Sequence, residues 1–292
     1  MARTFILSVL CVAAMAIPLP MTARSGQHCR VGICDWMILK RQKLGEFQLA
    51  HDIGADGVEM DMGPLGKRVL FDNRFRNDEQ EVAVFKHKAD SFGVQIASIA
   101  MSGFFAQSFL TRPNYRDLIN DCLATMHSFG AKVAFLPLGG SGKEWMSPGA
   151  AHDSMVVRLR VAGQLARRAG VVIGIRTALS AEDDVRLLDE VGSKGIRIYY
   201  NFQDAADNHR DICQELKTLG RKRIVQIHAS NTDGKLLRDD PAIDMKAIIQ
   251  TLRDIGWKGW LIVERSRDAA RVRDVKYNYG ANVAYLHERL KD

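Results

Sequence analysis

The fold is indicated most clearly by Arg223-Ile-Val-Gln-Ile-His228, followed by Ala-Ser-Asn-Thr-Asp233-Gly234. Its first half is rich in β-branched residues and ends in a histidine, and its second half consists mostly of turn formers. This pattern is typical of a buried parallel strand that carries a polar side chain to the rim of a sheet. The stretch therefore predicts that His228 lies at the carboxyl end of such a strand.

The same pattern occurs in three other segments, each of which ends in a polar side chain. They are Val171-Val-Ile-Gly-Ile-Arg176, Ile196-Arg-Ile-Tyr-Tyr-Asn201 and Trp260-Leu-Ile-Val-Glu264. Four strands of one type, each delivering a polar residue at its end, indicate that these side chains converge on one site.

Strand and helix patterns alternate from Arg30 to the end of the chain, in eight strand-then-helix units. Such alternation predicts parallel β-α-β units, and eight of them at this length fit a closed (β/α)8 TIM barrel in a single domain, residues 24–292. A dinucleotide-binding sheet is disfavoured because Cys34-Asp35-Trp36-Met37, rather than a glycine-rich loop, follows the first strand. The barrel predicts an active site at the carboxyl ends of the strands.

The first 23 residues have the layout of a secretory signal peptide. Arg3 gives a short basic start, and residues 5–18 (FILSVLCVAAMAIP) form an uncharged apolar run before small residues. A membrane anchor would need a longer apolar span, and Pro18 and Pro20 interrupt this one. We therefore expect cleavage, export to the periplasm or the medium, and no membrane span in the mature chain.

The charge and cysteine patterns disfavour several classes of protein. The formal net charge is +7, but the basic residues are spread out, with no stripe interleaved with aromatic residues, so we expect no nucleic-acid partner. No C-x-x-C pair supports a zinc ribbon or a redox motif. The four cysteines beyond the leader are predicted to be buried free thiols: Cys29, Cys34, Cys122 and Cys213.

Several segments resemble the xylose-isomerase-like sugar phosphate isomerases and epimerases, a family of TIM barrels. The resemblance is firm over residues 171–268 and looser before them. It rests on Ala181-Glu-Asp-Asp-Val-Arg-Leu-Leu-Asp-Glu-Val-Gly192, Ile198-Tyr-Tyr-Asn201, Val225-Gln-Ile-His228, Gly256-Trp-Lys-Gly-Trp-Leu-Ile-Val-Glu264 and, near the start, Gly54-Ala-Asp-Gly-Val-Glu59.

The resemblance implies a divalent metal, such as manganese, zinc or cobalt. It would be held by residues at the ends of the last four of the eight predicted strands, strands 5 to 8, which are the four segments quoted above. That family uses Glu, Asp, His and Glu in this order, and the matching positions here are Arg176, Asn201, His228 and Glu264. The implied metal ligands are therefore His228, Glu264 and Asn201. Arginine cannot ligate a metal and would repel one at close range, so we expect the ion to be weakly bound or lost.

The resemblance also implies which residues act on the substrate, which would be a sugar or a sugar-derived small molecule. Glu264 is the predicted base and His228 a metal ligand or acid, and these are catalytic together with Arg176. Arg176 either pairs with Glu264 or clamps a substrate oxygen. The predicted substrate-binding residues are Asn201, Glu59, Trp145, in a glycine-rich loop after strand 4, and Arg265.

Two functions remain open at this point. The first is an exported isomerase or epimerase, or a lyase-like enzyme, that abstracts a proton from a carbohydrate or keto-sugar. The second is a catalytically inactive barrel that binds a carbohydrate or a partner, which the altered ligands favour. A metal-dependent nuclease is disfavoured because the chain lacks the many strand-end His and Glu residues that a multi-metal cluster needs.

Overall fold

Eight parallel strands close into a barrel in the computed structural model, which describes residues 29–139 and 143–291. Each strand pairs with the next, and the first pairs with the last, so the predicted (β/α)8 TIM barrel is confirmed. The predicted signal peptide lies outside the described residues. The strands are β1 Arg30–Cys34, β2 Gly57–Asp61, β3 Gln95–Ala100, β4 Val133–Pro137, β5 Val172–Arg176, β6 Ile196–Asn201, β7 Ile224–His228 and β8 Trp260–Val263.

Helices surround the barrel, and the described residues contain no helix long and apolar enough to cross a bilayer. Two short helices, Lys143–Met146 (α4) and Phe202–Asp207 (α7), were not predicted from the sequence. The first of them carries Trp145, which the sequence placed in a loop. The helices are α1 Gly45–Asp52, α2 Glu79–Phe92, α3 Tyr115–Phe129, α4 Lys143–Met146, α5 Ala150–Arg168, α6 Ala181–Val191, α7 Phe202–Asp207, α8 Ile212–Arg223, α9 Met245–Asp254 and α10 Val275–Lys291.

Local signals in the sequence explain where the helices begin and end, as α6 illustrates. The side chain of Ser180 accepts a hydrogen bond from the backbone N–H of Asp183, which satisfies a donor that the first turn leaves free. The helix ends at Gly192, which adopts a left-handed conformation (φ 63°) that favours glycine. These signals place the strand that follows, β6, and thereby its last residue, Asn201.

The interior of the barrel is close-packed at the amino ends of the strands. Trp260 lies over Gly57, where a Cβ atom would come within 2.6 Å of the indole ring. Trp257 is buried as well, and its indole N–H donates to the carbonyl oxygen of Ile224 at 3.1 Å. The buried polar side chains of the interior, such as Glu59, Ser98 and Gln226, lie further along the strands, toward the predicted site.

The described cysteines are free thiols, as predicted, but only two of the four are fully buried. Cys34 and Cys122 lie in the interior, whereas Cys29 and Cys213 are half-buried. Cys34 is the one that lies among polar groups, because it ends β1.

Candidate functional site

Deep in the barrel, the last residues of β1 and β7 meet a glutamate from the middle of β2. Glu59 Oε1 lies 2.8 Å from His228 Nε2, and Cys34 Sγ lies 3.5 Å from Glu59 Oε1 and 3.8 Å from His228 Nε2. All three residues are 0% exposed. Cysteine, glutamate and histidine are all metal-ligand types, and one donor atom from each lies within 4.8 Å of the others.

The second oxygen of Glu59 is held by a hydrogen-bond network that is also buried. Ser98 Oγ donates to Glu59 Oε2 at 2.6 Å, and the hydroxyl of Tyr199 donates to the same atom at 2.7 Å. Gln226 then donates from Nε2 to both of these hydroxyl oxygens, at 2.8 and 2.9 Å. These three residues, together with Cys34, Glu59 and His228, are called the inner cluster below.

Burial and the charge of Glu59 raise the pKa values of two neutral members of the inner cluster, Cys34 and Tyr199. Burial, reinforced by the negative charge of Glu59, raises the pKa of the Cys34 thiol well above its ordinary value. The same two causes, in the same order, raise the pKa of Tyr199. Both groups therefore carry their protons at neutral pH, and the tyrosine hydroxyl acts as a donor.

Above the inner cluster, three strand ends converge on one carboxylate oxygen. Glu264 Oε2 lies 3.3 Å from Arg176 Nη1, 3.3 Å from Asn201 Nδ2 and 3.5 Å from His228 Nδ1. Glu264 follows β8 directly and is 2% exposed, and the hydroxyl of Tyr279 donates to its backbone oxygen at 2.8 Å. The three neighbours end β5, β6 and β7, so the register of the barrel brings them together.

A second carboxylate, which the sequence analysis did not single out, holds the other edge of Arg176. Asp204 accepts from Arg176 Nε at 2.8 Å and from Nη2 at 2.7 Å, which is a bidentate pair. Burial disfavours the charge on the guanidinium, but the hydrogen bonds to Asp204 and the charge of Glu264 outweigh it and raise the pKa of Arg176. Arg176 is therefore a permanent cation that bridges two carboxylates. Arg176, Asn201, Asp204 and Glu264 are called the mouth cluster below.

The mouth cluster is a poor fit for the divalent ion that the family resemblance implies. The guanidinium of Arg176 lies against the oxygen of Glu264 that would bind the ion, and two cations at that range repel. The side-chain oxygen of Asn201 accepts from the backbone N–H of Gln203 at 2.9 Å and so caps α7, while its amide nitrogen faces Glu264. In the folded chain Asn201 therefore points its N–H donor, rather than its oxygen, toward the place where the metal ion would bind.

A pocket of about 290 Å³ opens over the mouth cluster at the carboxyl ends of the strands. Arg176 and Asp204 form part of its wall, and Arg265 adds an exposed cation with no carboxylate partner among the described ion pairs. Phe105, which is exposed, contributes apolar surface to the wall, and Trp145 packs beside the pocket with its side chain almost fully buried. The pocket thus combines flat apolar surfaces with charged groups, an arrangement that suits a small polar ligand.

The predicted site residues separate into three levels of the barrel. Arg176, Trp145 and Arg265 line the pocket. Glu264 and Asn201 lie beneath Arg176, and His228 connects this level with the inner cluster through its two ring nitrogens. Glu59, predicted to bind substrate, lies in the inner cluster and is absent from the pocket wall.

Asp204 and Tyr199 are partners in the site that the sequence pattern does not indicate. Asp204 lies three residues after Asn201, in the first turn of the helix that Asn201 caps, so its nearness to the strand end was the available signal. The helix that carries Asp204, α7, has only six residues and was not predicted, so the sequence did not place Asp204 near Asn201. Tyr199 was read only as part of a buried strand, since its position gives no sign of the carboxylate it meets.

The chain matches one protein family, and several of the proteins that it resembles are described as epimerases. The sequence model of the family described as "Xylose isomerase-like TIM barrel" matches residues 47–289. A relative from Actinoplanes sp., a 2-epi-5-epi-valiolone 7-phosphate 2-epimerase, is 26% identical over 175 residues, which cover 58% of this chain and 60% of the relative. This chain thus matches less than two thirds of that relative's length.

Solved structures of sugar epimerases share the fold at low identity. A D-psicose 3-epimerase superposes with a TM-score of 0.70 at 12% identity, covering 90% of this chain and 100% of the other. A 3-keto-D-glucoside 4-epimerase from E. coli gives a TM-score of 0.68 at 19% identity, covering 89% of this chain and 99% of the other. At these identities the likeness establishes the barrel architecture.

Proposed function

This chain belongs to the xylose isomerase-like TIM barrel family, and we propose that it is a sugar isomerase or epimerase. The reaction would move a proton on the carbon beside the carbonyl group of a keto-sugar. The observation that carries the proposal is the convergence of Arg176, Asp204 and Glu264 beneath a pocket at the carboxyl ends of the strands. A relative described as an epimerase and structural neighbours described as sugar epimerases support this class of reaction.

Glu264 is proposed as the base that removes the proton. Its backbone is anchored by Tyr279, and its carboxylate lies at the level just beneath the pocket. Arg176 would stabilise the enolate oxygen that forms when the proton leaves, since a fixed cation needs no reorganisation as the charge develops. For this the guanidinium must share its Nη1 edge between Glu264 and the substrate.

Asp204 supplies the second titratable group that the sequence analysis did not find. Epimerisation needs an acid and a base on opposite faces of the sugar carbon, whereas isomerisation or elimination can proceed with one base. Arg176 separates the two carboxylates, with Asp204 on its Nε and Nη2 edge and Glu264 on Nη1. Two carboxylates flanking one cation support epimerisation over a one-base reaction.

The test is solvent hydrogen exchange into candidate sugars. The full chain is incubated in deuterium oxide with keto-hexoses, 3-keto-glucosides and their phosphate esters, and deuterium incorporation is followed by NMR. We expect exchange with at least one sugar, and a loss of at least ~100-fold in Glu264→Gln because the base is removed. Glu79→Gln, on the exposed face of α2, serves as a matched control with unchanged exchange. Exchange that survives Glu264→Gln would remove Glu264 as the base.

A barrel that binds a carbohydrate without turning it over is the second candidate. The ion pairs of Arg176 with both Asp204 and Glu264 favour it, because they occupy the groups that acid–base chemistry would use. Calorimetric titration of the same sugars distinguishes the two. Saturable binding with no deuterium exchange would establish the binding barrel and end the enzyme proposal.

Export of the mature chain is proposed on the signal-peptide pattern of residues 1–23. Intact-mass measurement of the protein recovered from its native cells tests it. A mass short by the first 23 or so residues, in the periplasmic or extracellular fraction, is expected. Full-length protein confined to the cytoplasm would contradict export.

A further inference from the structure

The inner cluster contains an arrangement of donor atoms that the proposed sugar chemistry does not use. The geometry points to a three-ligand site for a divalent metal ion of borderline softness, such as zinc, formed by Cys34, Glu59 and His228. The ion would lie inside the barrel, on the opposite side of His228 from the mouth cluster. It is therefore a different site from the one that the family resemblance implies.

The spacing of the three donor atoms matches the radius of a metal ion. Their separations are 2.8 Å between Glu59 Oε1 and His228 Nε2, 3.5 Å between Cys34 Sγ and Glu59 Oε1, and 3.8 Å between Cys34 Sγ and His228 Nε2. A point equidistant from three atoms so placed lies roughly 2 Å from each, and zinc bonds to nitrogen, oxygen and sulfur are about 2.0 to 2.3 Å long. Binding thus requires shifts of only a few tenths of an ångström.

The groups behind the ligands are arranged as supports for a metal site. Metal-bound histidines usually donate their other ring N–H to a carboxylate, and His228 Nδ1 faces Glu264 Oε2 at 3.5 Å with no hydrogen bond of its own. The second oxygen of Glu59 is fixed by Ser98 and Tyr199, which leaves Oε1 directed at the site. Both the imidazole and the carboxylate are therefore pre-oriented.

Charge and ligand type favour a zinc-like ion over magnesium or calcium. A thiolate, a carboxylate and a divalent cation sum to zero, which suits a position with no exposure to water. Coordination forms one metal–sulfur bond and releases the thiol proton to solvent, so no redox partner is needed. Sulfur and imidazole donors prefer zinc, cobalt and iron, whereas magnesium and calcium prefer oxygen sets.

Aromatic rings enclose the site. Phe135 and Tyr199 pack on the imidazole of His228 with centroid separations of 4.6 and 4.4 Å, and Trp36 lies 6.4 Å away. Trp36 is the half-buried member of the three, so the approach from solvent lies on its side. Such a shell excludes water and slows the release of a bound ion.

Metal stoichiometry of the full chain tests the inference without any activity measurement. The reduced protein is stripped with a chelator, incubated with excess zinc, freed of unbound ion and analysed by elemental mass spectrometry. We expect about one zinc per chain, and at least tenfold weaker binding in Cys34→Ala and in Glu59→Gln, because each removes a ligand. Cys122→Ala, which removes a buried thiol elsewhere, should bind like the parent. A parent chain that binds no zinc would overturn the inference.

Cobalt substitution tests the sulfur ligand directly. Cobalt bound to a thiolate gives a charge-transfer band in the near ultraviolet, which we expect in the parent and not in Cys34→Ala. Cobalt bound without this band would overturn the inference, since Cys34 would not be a ligand. Circular dichroism checks that each variant folds, and Cys34→Ser, close to cysteine in shape, replaces Cys34→Ala if the latter does not.

Glu264→Gln separates the inner site from the family position. Glu264 would be a ligand at the mouth but only supports His228 in the inner site, so the variant should retain about one zinc at saturation. Zinc that is lost in Glu264→Gln but retained in Cys34→Ala would place the ion at the mouth and overturn the inference. Neither result depends on turnover, so the sugar chemistry is tested separately.

Discussion

Arg176 is the residue that most distinguishes this site. The family resemblance implies a glutamate at the position of Arg176 and an aspartate at that of Asn201, so this chain carries a cation and a neutral amide where the implied ligands are carboxylates. In the folded chain the guanidinium of Arg176 forms ion pairs with Asp204 and Glu264. Its positive charge thus lies where the family resemblance implies a metal ion. The mouth cluster is therefore stabilised by a built-in cation.

Restoring the family residues should restore a metal site at the mouth. We expect Arg176→Glu combined with Asn201→Asp, in a Cys34→Ala background, to bind about one manganese ion per chain, because three carboxylates and His228 then face one position. Arg176→Gln in the same background removes the cation without adding a ligand and should bind none. Elemental analysis after desalting gives both values. Equal manganese content in the two variants would refute this account of Arg176.

Asp184 makes the stability of the fold depend on pH. Burial raises the pKa of its carboxyl from 3.8 to about 8, the charge of Glu215 adds to this, and a hydrogen bond from Thr177 opposes it. Between these values the folded chain keeps a proton that the unfolded chain has released, so stability falls as pH rises through that window. The stabilisation by the protonated group is full below about pH 4 and lost above about pH 8.

Replacing Asp184 should therefore flatten the pH profile. Asp184→Asn is neutral at every pH and keeps an oxygen for Thr177, so the melting temperature should fall less between pH 5 and pH 8 than in the parent. Asp189→Asn makes the same change on the exposed face of the same helix and should leave the slope unchanged. Parallel slopes for all three proteins would contradict the role of Asp184.

Among the elements, the strands and the longer helices follow from sequence, whereas the two shortest helices do not. β7 and β8 were predicted from apolar runs that end at polar residues, and α6 from its cap and its terminal glycine. The four residues of α4 and the six of α7 carry too little periodicity to predict, because such short helices depend on the structure around them. Asp204 and Trp145, which lie on these helices, were accordingly missed or placed in a loop.

The start of β2 is predicted to tolerate no side chain. A Cβ on Gly57 would meet the ring of Trp260 at 2.6 Å and the carbonyl oxygen of Gln95 at 2.7 Å. We expect Gly57→Ala to lower the free energy of unfolding by about 1 to 3 kcal/mol through overpacking, measured by urea denaturation. Gly45→Ala serves as control, because the nearest atoms are the flexible end of Lys40 at 3.8 Å. If Gly57→Ala and the control had equal urea midpoints, the backbone and Trp260 would be able to shift and accommodate the added methyl group.

The stability of the whole barrel depends on the pairing of its first and last strands, β1 and β8. β1 pairs with β8, and α10 packs against both strands with Tyr279, Val283 and Leu286 buried. Burial of these three side chains contributes roughly 5 to 9 kcal/mol, which is comparable with the whole stability of a typical domain. The last helix is therefore part of the barrel and cannot be treated as an appendage.

Removal of α10 should abolish cooperative folding. A chain that ends at Asp274 leaves the outer face of β1 and β8 uncovered, so we expect no cooperative thermal transition in circular dichroism. A chain that lacks only Lys291 and Asp292 loses an exposed residue and the terminus, and should melt like the parent. A normal melting curve for the shorter chain would mean that closure does not need the helix.

The barrel, the order of its units and the polar residues at its strand ends can be inferred from the sequence alone, because strand and helix periodicities are local properties of the chain. The sequence also identified His228 and Glu264 as the ends of neighbouring strands. Only the tertiary structure decided that Glu59 and Cys34 meet one ring nitrogen of His228 while Glu264 faces the other. Those contacts join residues up to 194 positions apart, and they arise from the closure and register of the barrel, which no local pattern encodes.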